Sequence, residues 1–351
     1  MAEKKATNLT AQQRAQLFAA STRQHFQMIG KKEITGGAQM VEFEIPKARI
    51  LHNVKLLVEA EVSVSGNVDI ASPVAPYDVF RLVTVNFNNG FKPIMVSGSE
   101  LALANMLYTN PDMVRARVDG SSLCTCPETL SSGTNKIKFM LDIPVGLNYR
   151  DPTAMVMVQN AETSVTVNLD IGYANQIIAN SSEVTAEFGK ITISAMATTY
   201  SIPADSRCWP DFSVLKILNS NNFGMVQGQN YIKLPVGMIY RKMILRFEDE
   251  NGQPMAVEDI TSNIELLLNT ADTPYSISPA MLREIDKFQA GVDFPEGCYY
   301  FSWDFQGQNG YGGARDLMDT ERVTELAVRF TSGKAGKLTV IGEKISRLIT
   351  A

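Results

Sequence analysis

An all-β fold in two successive halves, led by a basic helical arm, is what the sequence predicts. Three features carry that expectation. Apolar residues recur at every second position along much of the 351-residue chain, Asn-Gly dipeptides follow such runs, and a segment with two prolines breaks the pattern past mid-chain. Val41, Phe43 and Ile45 alternate with Glu42 and Glu44, and Val58, Ala60, Val62 and Val64 with Glu59, Glu61 and Ser63. Ile137 to Ile143 and Val165 to Ile171 repeat the pattern. Strand side chains point alternately to two faces, so each run reads as a half-buried antiparallel strand. Asn89-Gly90 and Asn251-Gly252 suit the positive φ angles of tight hairpins, and Pro93 marks a short or edge strand.

The second half continues with Ile264 to Leu268, Cys298 to Phe305, Leu326 to Phe330 and Lys337 to Ile349. Between the halves, Ser201 to Pro210 holds Pro203 and Pro210 and interrupts the alternation. The expected division is an arm over residues 1–35, a first unit over 36–202 and a second over 203–351. The length suits two domains of about 150 to 170 residues. Each half carries one helix signal. Ser97 and Glu100 form a capping box ahead of Leu101 to Tyr108; Ser278 is an N-cap with Pro279 at the first helical position, followed by Met281, Ile285 and Phe288 on one face. At the N-terminus, Thr10 and Gln13 make another capping box. Residues 11–29 then read as one helix of about 28 Å.

Charge divides the same way. The chain carries a net −5, but residues 1–32 hold Lys4, Lys5, Arg14, Arg23, Lys31 and Lys32 against Glu3 alone. A basic arm on an acidic body implies a partner for the arm: lipid headgroups, nucleic acid or an acidic neighbouring surface. Residue chemistry for catalysis is sparse. The two histidines, His25 and His52, lie in the expected arm helix and in a strand, with no nucleophile elbow to serve. Asp293, Glu296 and Asp304 are carboxylates of the kind a glycosidase pairs, but any acidic surface offers such pairs. Glu248-Asp249-Glu250 offers too few oxygens for calcium, and Gly310 to Gly313 lacks the Lys-Ser/Thr of a phosphate loop. Cys124, Cys126, Cys208 and Cys298 read as reduced thiols of a protein made in a cytoplasm. The readings are therefore no enzyme, no cofactor, no metal and no specific nucleic-acid site.

Several stretches together resemble the major capsid protein of tectiviruses, bacterial viruses with an internal membrane. Val292 to Tyr300 (Val-Asp-Phe-Pro-Glu-Gly-Cys-Tyr-Tyr) is similar to an element late in that family's second barrel. Leu9 to Gln13, Arg81 to Phe87 with the Ser97-Gly98 helix start, and Lys138 to Pro144 follow in the family's order. The resemblance implies two tandem eight-stranded jelly rolls with an N-terminal helical arm. Three chains would form a pseudo-hexagonal capsomer of an icosahedral shell in the virion, after synthesis in the host cytoplasm. It implies neighbouring capsomers, minor capsid and vertex proteins, and the internal viral membrane as partners. The arm residues Lys4, Lys5, Arg14, Phe18, Arg23, Phe26, Lys31 and Lys32 would face lipid or the next capsomer. Tyr299, Tyr300, Trp303 and Tyr311 are expected at the trimer interface, with core packing as the alternative. A carbohydrate-binding adhesin and a double jelly-roll glycan hydrolase are the competing functions.

Overall fold

The computed structural model describes residues 11–88, 90–147, 153–160, 162–179, 182–270, 272–291, 293–303 and 317–347. Among them, eight strands of five residues or more fall in each half. The first half holds β1 (Gln24–Thr35), β2 (Met40–Glu44), β3 (Ile50–Val64), β4 (Phe80–Phe87), β5 (Phe91–Val96), β6 (Gly133–Pro144), β7 (Val165–Ile171) and β8 (Ala186–Tyr200). The second holds β9 (Val214–Met225), β10 (Gly228–Leu234), β11 (Ile239–Asp249), β12 (Ile264–Leu268), β13 (Asp272–Ile277), β14 (Cys298–Ser302), β15 (Leu326–Ser332) and β16 (Gly336–Arg347).

The two halves share one strand order. In the first, β1-β8-β3-β6 form one sheet and β2-β7-β4-β5 the other. In the second, β9-β16-β11-β14 and β10-β15-β12-β13 repeat that order strand for strand. Each half is thus a jelly roll, two antiparallel sheets whose alternating inner faces make one core. Along β3, Val54, Leu56, Val58, Ala60 and Val62 are buried while Glu59 faces out and pairs with Lys138 of β6 at 3.2 Å. Burying each such Val or Leu is worth about 1.5–3 kcal/mol, so register is held by the core and decorated by the outer pairs.

Helices follow the fifth strand of each roll. α2 (Gly98–Asn105) comes after β5 and α3 (Pro279–Ala290) after β13, while α1 (Ala11–Ser21) precedes the first roll. The capping box at Ser97 and Glu100 is present, and the Ser278 hydroxyl accepts from the Met281 amide. Gly98 is required where α2 starts, because a Cβ there would lie 1.9 Å from the Tyr77 carbonyl oxygen. On α3 the expected apolar face is reversed. Leu282 is buried, whereas Met281 and Phe288 point outward.

The arm differs from the expected 19-residue helix. α1 stops at Ser21, where the Ser21 and Thr22 hydroxyls donate back to the Leu17 and Phe18 carbonyls. Gln24 to Thr35 instead pairs along β8, from Gln24 opposite Tyr200 to Thr35 opposite Lys190. Pairing along β8 lets Ile29 and Ile34 pack against the core, and that tertiary gain outweighs local helix preference. His25 is therefore a strand residue.

Candidate functional site

The two rolls meet along a shared sheet. β5 of the first roll pairs in parallel with β9 of the second, Ile94 opposite Leu218 and Met95 opposite Asn219. One nine-stranded sheet therefore runs through both rolls. Leu218, Ile244, Cys298, Tyr300 and Ile341 of the second half are buried in the first roll's core, so the seam is apolar at its centre.

Polar groups close the seam at two places. At the start of α2, Glu100 Oε2 accepts from the Ser97 amide at 2.7 Å and from the Ser220 hydroxyl of β9 at 2.8 Å. Arg246 of β11 donates to the Ser99 hydroxyl at 3.4 Å and pairs with Glu248 at 2.6 Å. The carboxyl of Asp78, held in the same group, is pushed up to about 6 by burial, against the pull of Ser99 and Arg246. Past the C-terminal end of α2, Glu343 of β16 sits between Lys216 at 3.0 Å and Arg241 at 3.2 Å, and accepts from the Tyr108 hydroxyl. Lys242 lies 3.9 Å from the centroid of the Tyr108 ring. Burial opposes ionisation of Glu343, but Lys216, Arg241 and Lys242 together hold its carboxyl down at about 2. Burial lowers Lys216 to about 8.

The expected arm residues are scattered by the real fold. Lys4 and Lys5 lie outside the described residues. Phe18 is buried, packed on Ile50, Met155 and Tyr200, so it anchors α1 to the body rather than facing a partner. Arg14 lies on α1, and the Arg23 amide donates to the Ser201 hydroxyl. Lys31 pairs with Glu33 at 3.3 Å, and Lys32 donates to the Glu42 carbonyl over the Phe43 ring. Phe26 remains exposed on β1.

The expected aromatic interface is corrected in the same way. Tyr299, Tyr300 and Trp303 are buried within the chain, Tyr300 stacked on Phe294 and Trp303 beside Tyr275 and Phe301. Alternation in β14 was too short to separate inner from outer faces, and all five of its residues are covered. Tyr311 lies outside the described residues.

Among the described residues no three His, Cys, Asp or Glu side chains group as metal ligands. His52 is buried edge-on to Tyr200, and all four cysteines are buried and free. A cleft of about 840 Å³ beside Arg115 and Arg117 holds Asp69, Asp119 and Glu128. Asp119, however, is held low by Ser121, and Asp69 accepts from the Thr129 hydroxyl. A glycosidase general acid needs the opposite, a raised carboxyl facing a substrate. Asp293 pairs with Arg283 at 3.3 Å, and Asp304 lies outside the described residues. Glu248 and Asp249 are spent on Arg246, Lys337 and the Asn251 turn.

No family model and no curated protein matches the sequence. Solved structures do. The major capsid protein of Sulfolobus turreted icosahedral virus is similar at a TM-score of 0.69 and 12% identity, over 93% of this chain and 97% of that one. A chain of the PBCV-1 virus capsid matches at 0.64 and 10% identity, over 92% and 93%. The major capsid protein of bacteriophage PM2 matches at 0.58 and 12%, over 93% and 98%. With the strand order repeated in each half, the chain has the double jelly-roll fold of these viral capsid proteins.

Proposed function

We propose that this chain is the major capsid protein of an icosahedral virus with an internal membrane, and that it acts by assembling rather than by catalysis. One observation carries the reading. Two jelly rolls of identical strand order share a sheet, and the likeness to known capsid proteins spans more than nine-tenths of both chains. Three copies would place six rolls around a threefold axis, which suits a hexagonal tile. A permanent interface of this kind buries more than about 2,000 Å².

The roll boundaries in this reading follow the strands, so the first roll begins at β1 rather than at residue 36. The arm is then shorter than the charge pattern implied. Lys31 and Lys32 are occupied at the sheet edge, leaving Lys4, Lys5, Arg14 and Arg23 to meet lipid headgroups or a neighbouring capsomer. At about 1 kcal/mol per basic residue near an anionic surface, four such groups suffice for a reversible hold.

The test is the solution mass of the purified protein by light scattering, followed by electron microscopy under assembly conditions. A mass of three times 38.6 kDa, with shells or sheets of hexagonal tiles, is the expected result. A monomer at every concentration, or turnover of a glycan panel, overturns the reading.

A further inference from the structure

We propose that the seam between the two rolls is a proton latch, in which Asp78 takes up a proton as the rolls close on each other, so that acid tightens the seam and neutral pH loosens it. The device belongs to the single chain and holds whatever the chain assembles into.

An imbalance of charge at the start of α2 carries the inference. Asp78, on the short helical turn Ala75–Val79, accepts from the Ser99 amide at 3.3 Å. Glu100 of α2 accepts from the Ser97 amide and, across the seam, from Ser220. The second roll faces them with Arg246 of β11, which donates to the Ser99 hydroxyl, and with Glu248, which pairs with Arg246 at 2.6 Å and with Lys337 of β16 at 3.0 Å. Three carboxylates, Asp78, Glu100 and Glu248, thus meet two cations, Arg246 and the half-exposed Lys337. Glu248 holds both cations and Glu100 holds two donors, whereas Asp78 is held by Ser99 alone among the described residues. A charge taken out of water without a cation of its own favours the neutral form. Burial accordingly pushes the Asp78 carboxyl up to about 6, against Ser99 and Arg246, and Glu100 adds to the rise.

The jelly roll itself does not ask for this group. Pro93 to Ser97 matches Pro274 to Ser278, each serine capping the helix that follows, so Met281 stands where Glu100 does and Asp286 where Asn105 does. The second roll makes the same cap with no carboxylate at that place. The aspartate of its own turn before the fourth strand, Asp259 in Val257–Asp259, pairs with Lys334 at 2.9 Å. The carboxylate cluster is therefore a property of the seam rather than of the roll. Its sign is definite. The closed seam holds the Asp78 proton more tightly than an open one, so closure is strongest below the ordinary 3.8 and weakens as pH rises through about 6. The two values lie about two units apart, which makes about a hundredfold in the closing equilibrium.

Native cysteines report the opening in the full chain. Cys298 comes from the second roll and is buried in the seam against the first roll's core, whereas Cys124 and Cys126 are buried within the first roll. Under native conditions the protein is exposed to dithiodipyridine, a disulfide reagent that reacts in acid, and the labelling rate of each cysteine is read by peptide mass spectrometry from about pH 4 to about pH 7, the window of the Asp78 proton. Comparing wild type with Asp78→Asn at each pH cancels the reagent's own pH dependence. The expected ratio of Cys298 rates, wild type over variant, is about threefold at the acid end and about a hundredfold at the neutral end, with no matching change at Cys124 and Cys126. If the variant fails to fold, wild type carries the test alone, through a Cys298 rate that gains at least about tenfold on the Cys124 rate over the same range. A flat Cys298 ratio overturns the latch, because Asp78 then holds no proton linked to closure. Equal acceleration at Cys124 and Cys126 also overturns it, because the effect then lies in the fold of the first roll.

Discussion

The face beyond α2 and the face beyond α3 are built from equivalent parts and end differently. On the first, β5 is extended by β9, Glu100 reaches Ser220, and Glu343 gathers Lys216, Arg241 and Tyr108. On the second, β13 ends the sheet and Met281 and Phe288 face outward. A repeated fold therefore need not have repeated surfaces. One copy of the face is sealed with buried charge inside the chain, while on the other Met281 and Phe288 stand exposed beside Glu284 and Lys287.

The largest expected effect comes from removing the first strand of the first roll. Deleting residues 1–32 strips nine residues of β1 from β8 and takes Phe18 from its pocket, so the product is expected to aggregate. Circular dichroism and thermal unfolding of the truncated and full-length chains check this.

Next in size is Glu343→Gln, which leaves Lys216 and Arg241 buried beside a neutral amide. A loss of about 3–5 kcal/mol is expected in urea titration at pH 7. Its pH dependence has a definite sign. The folded carboxyl sits at about 2, below the ordinary 4.5, so its contribution is complete above pH 4.5 and fades as pH falls toward 2. The gap between the variant and wild type narrows over that window.

Asp286→Asn brings the two helices into closer likeness, since asparagine stands at the equivalent position 105. Burial pushes the Asp286 carboxyl up to about 8, so the folded chain holds this proton more tightly than the unfolded one. Wild-type stability from this group falls as pH rises from about 4 to 8. The variant removes that slope and is expected to gain on the order of 2 kcal/mol at pH 7. A flat difference across that range contradicts the assignment. The smallest effect is Phe288→Ala, expected to change single-chain stability by less than about 0.5 kcal/mol because the ring is exposed.

The core strands were legible because burial on one face writes itself as alternation; Val58 to Val64 and Val165 to Ile171 lie where that pattern places them. Both cap serines were legible from local chemistry. β1 was not, because only Ile29 and Ile34 pack against the core and a bulge between Met28 and Gly30 breaks the period of two, while Phe26, Met28, Lys31 and Lys32 are exposed. Nor were the seam charges, since Lys216, Arg241 and Glu343 are surface residues by type and become buried only when the second roll meets the first. Tyr299, Tyr300 and Trp303 misled for the converse reason, being interface residues by type that a short, fully covered strand uses as core. The match of Pro93 to Ser97 with Pro274 to Ser278 was visible in the sequence, and knowing that each serine follows the fifth strand is what gives it meaning.

A cryo-electron microscopy reconstruction of the assembled oligomer tests the central claim most directly. The account predicts six rolls around a threefold axis, three copies of the chain making one hexagonal tile. A monomer, or an oligomer without threefold symmetry, would contradict it.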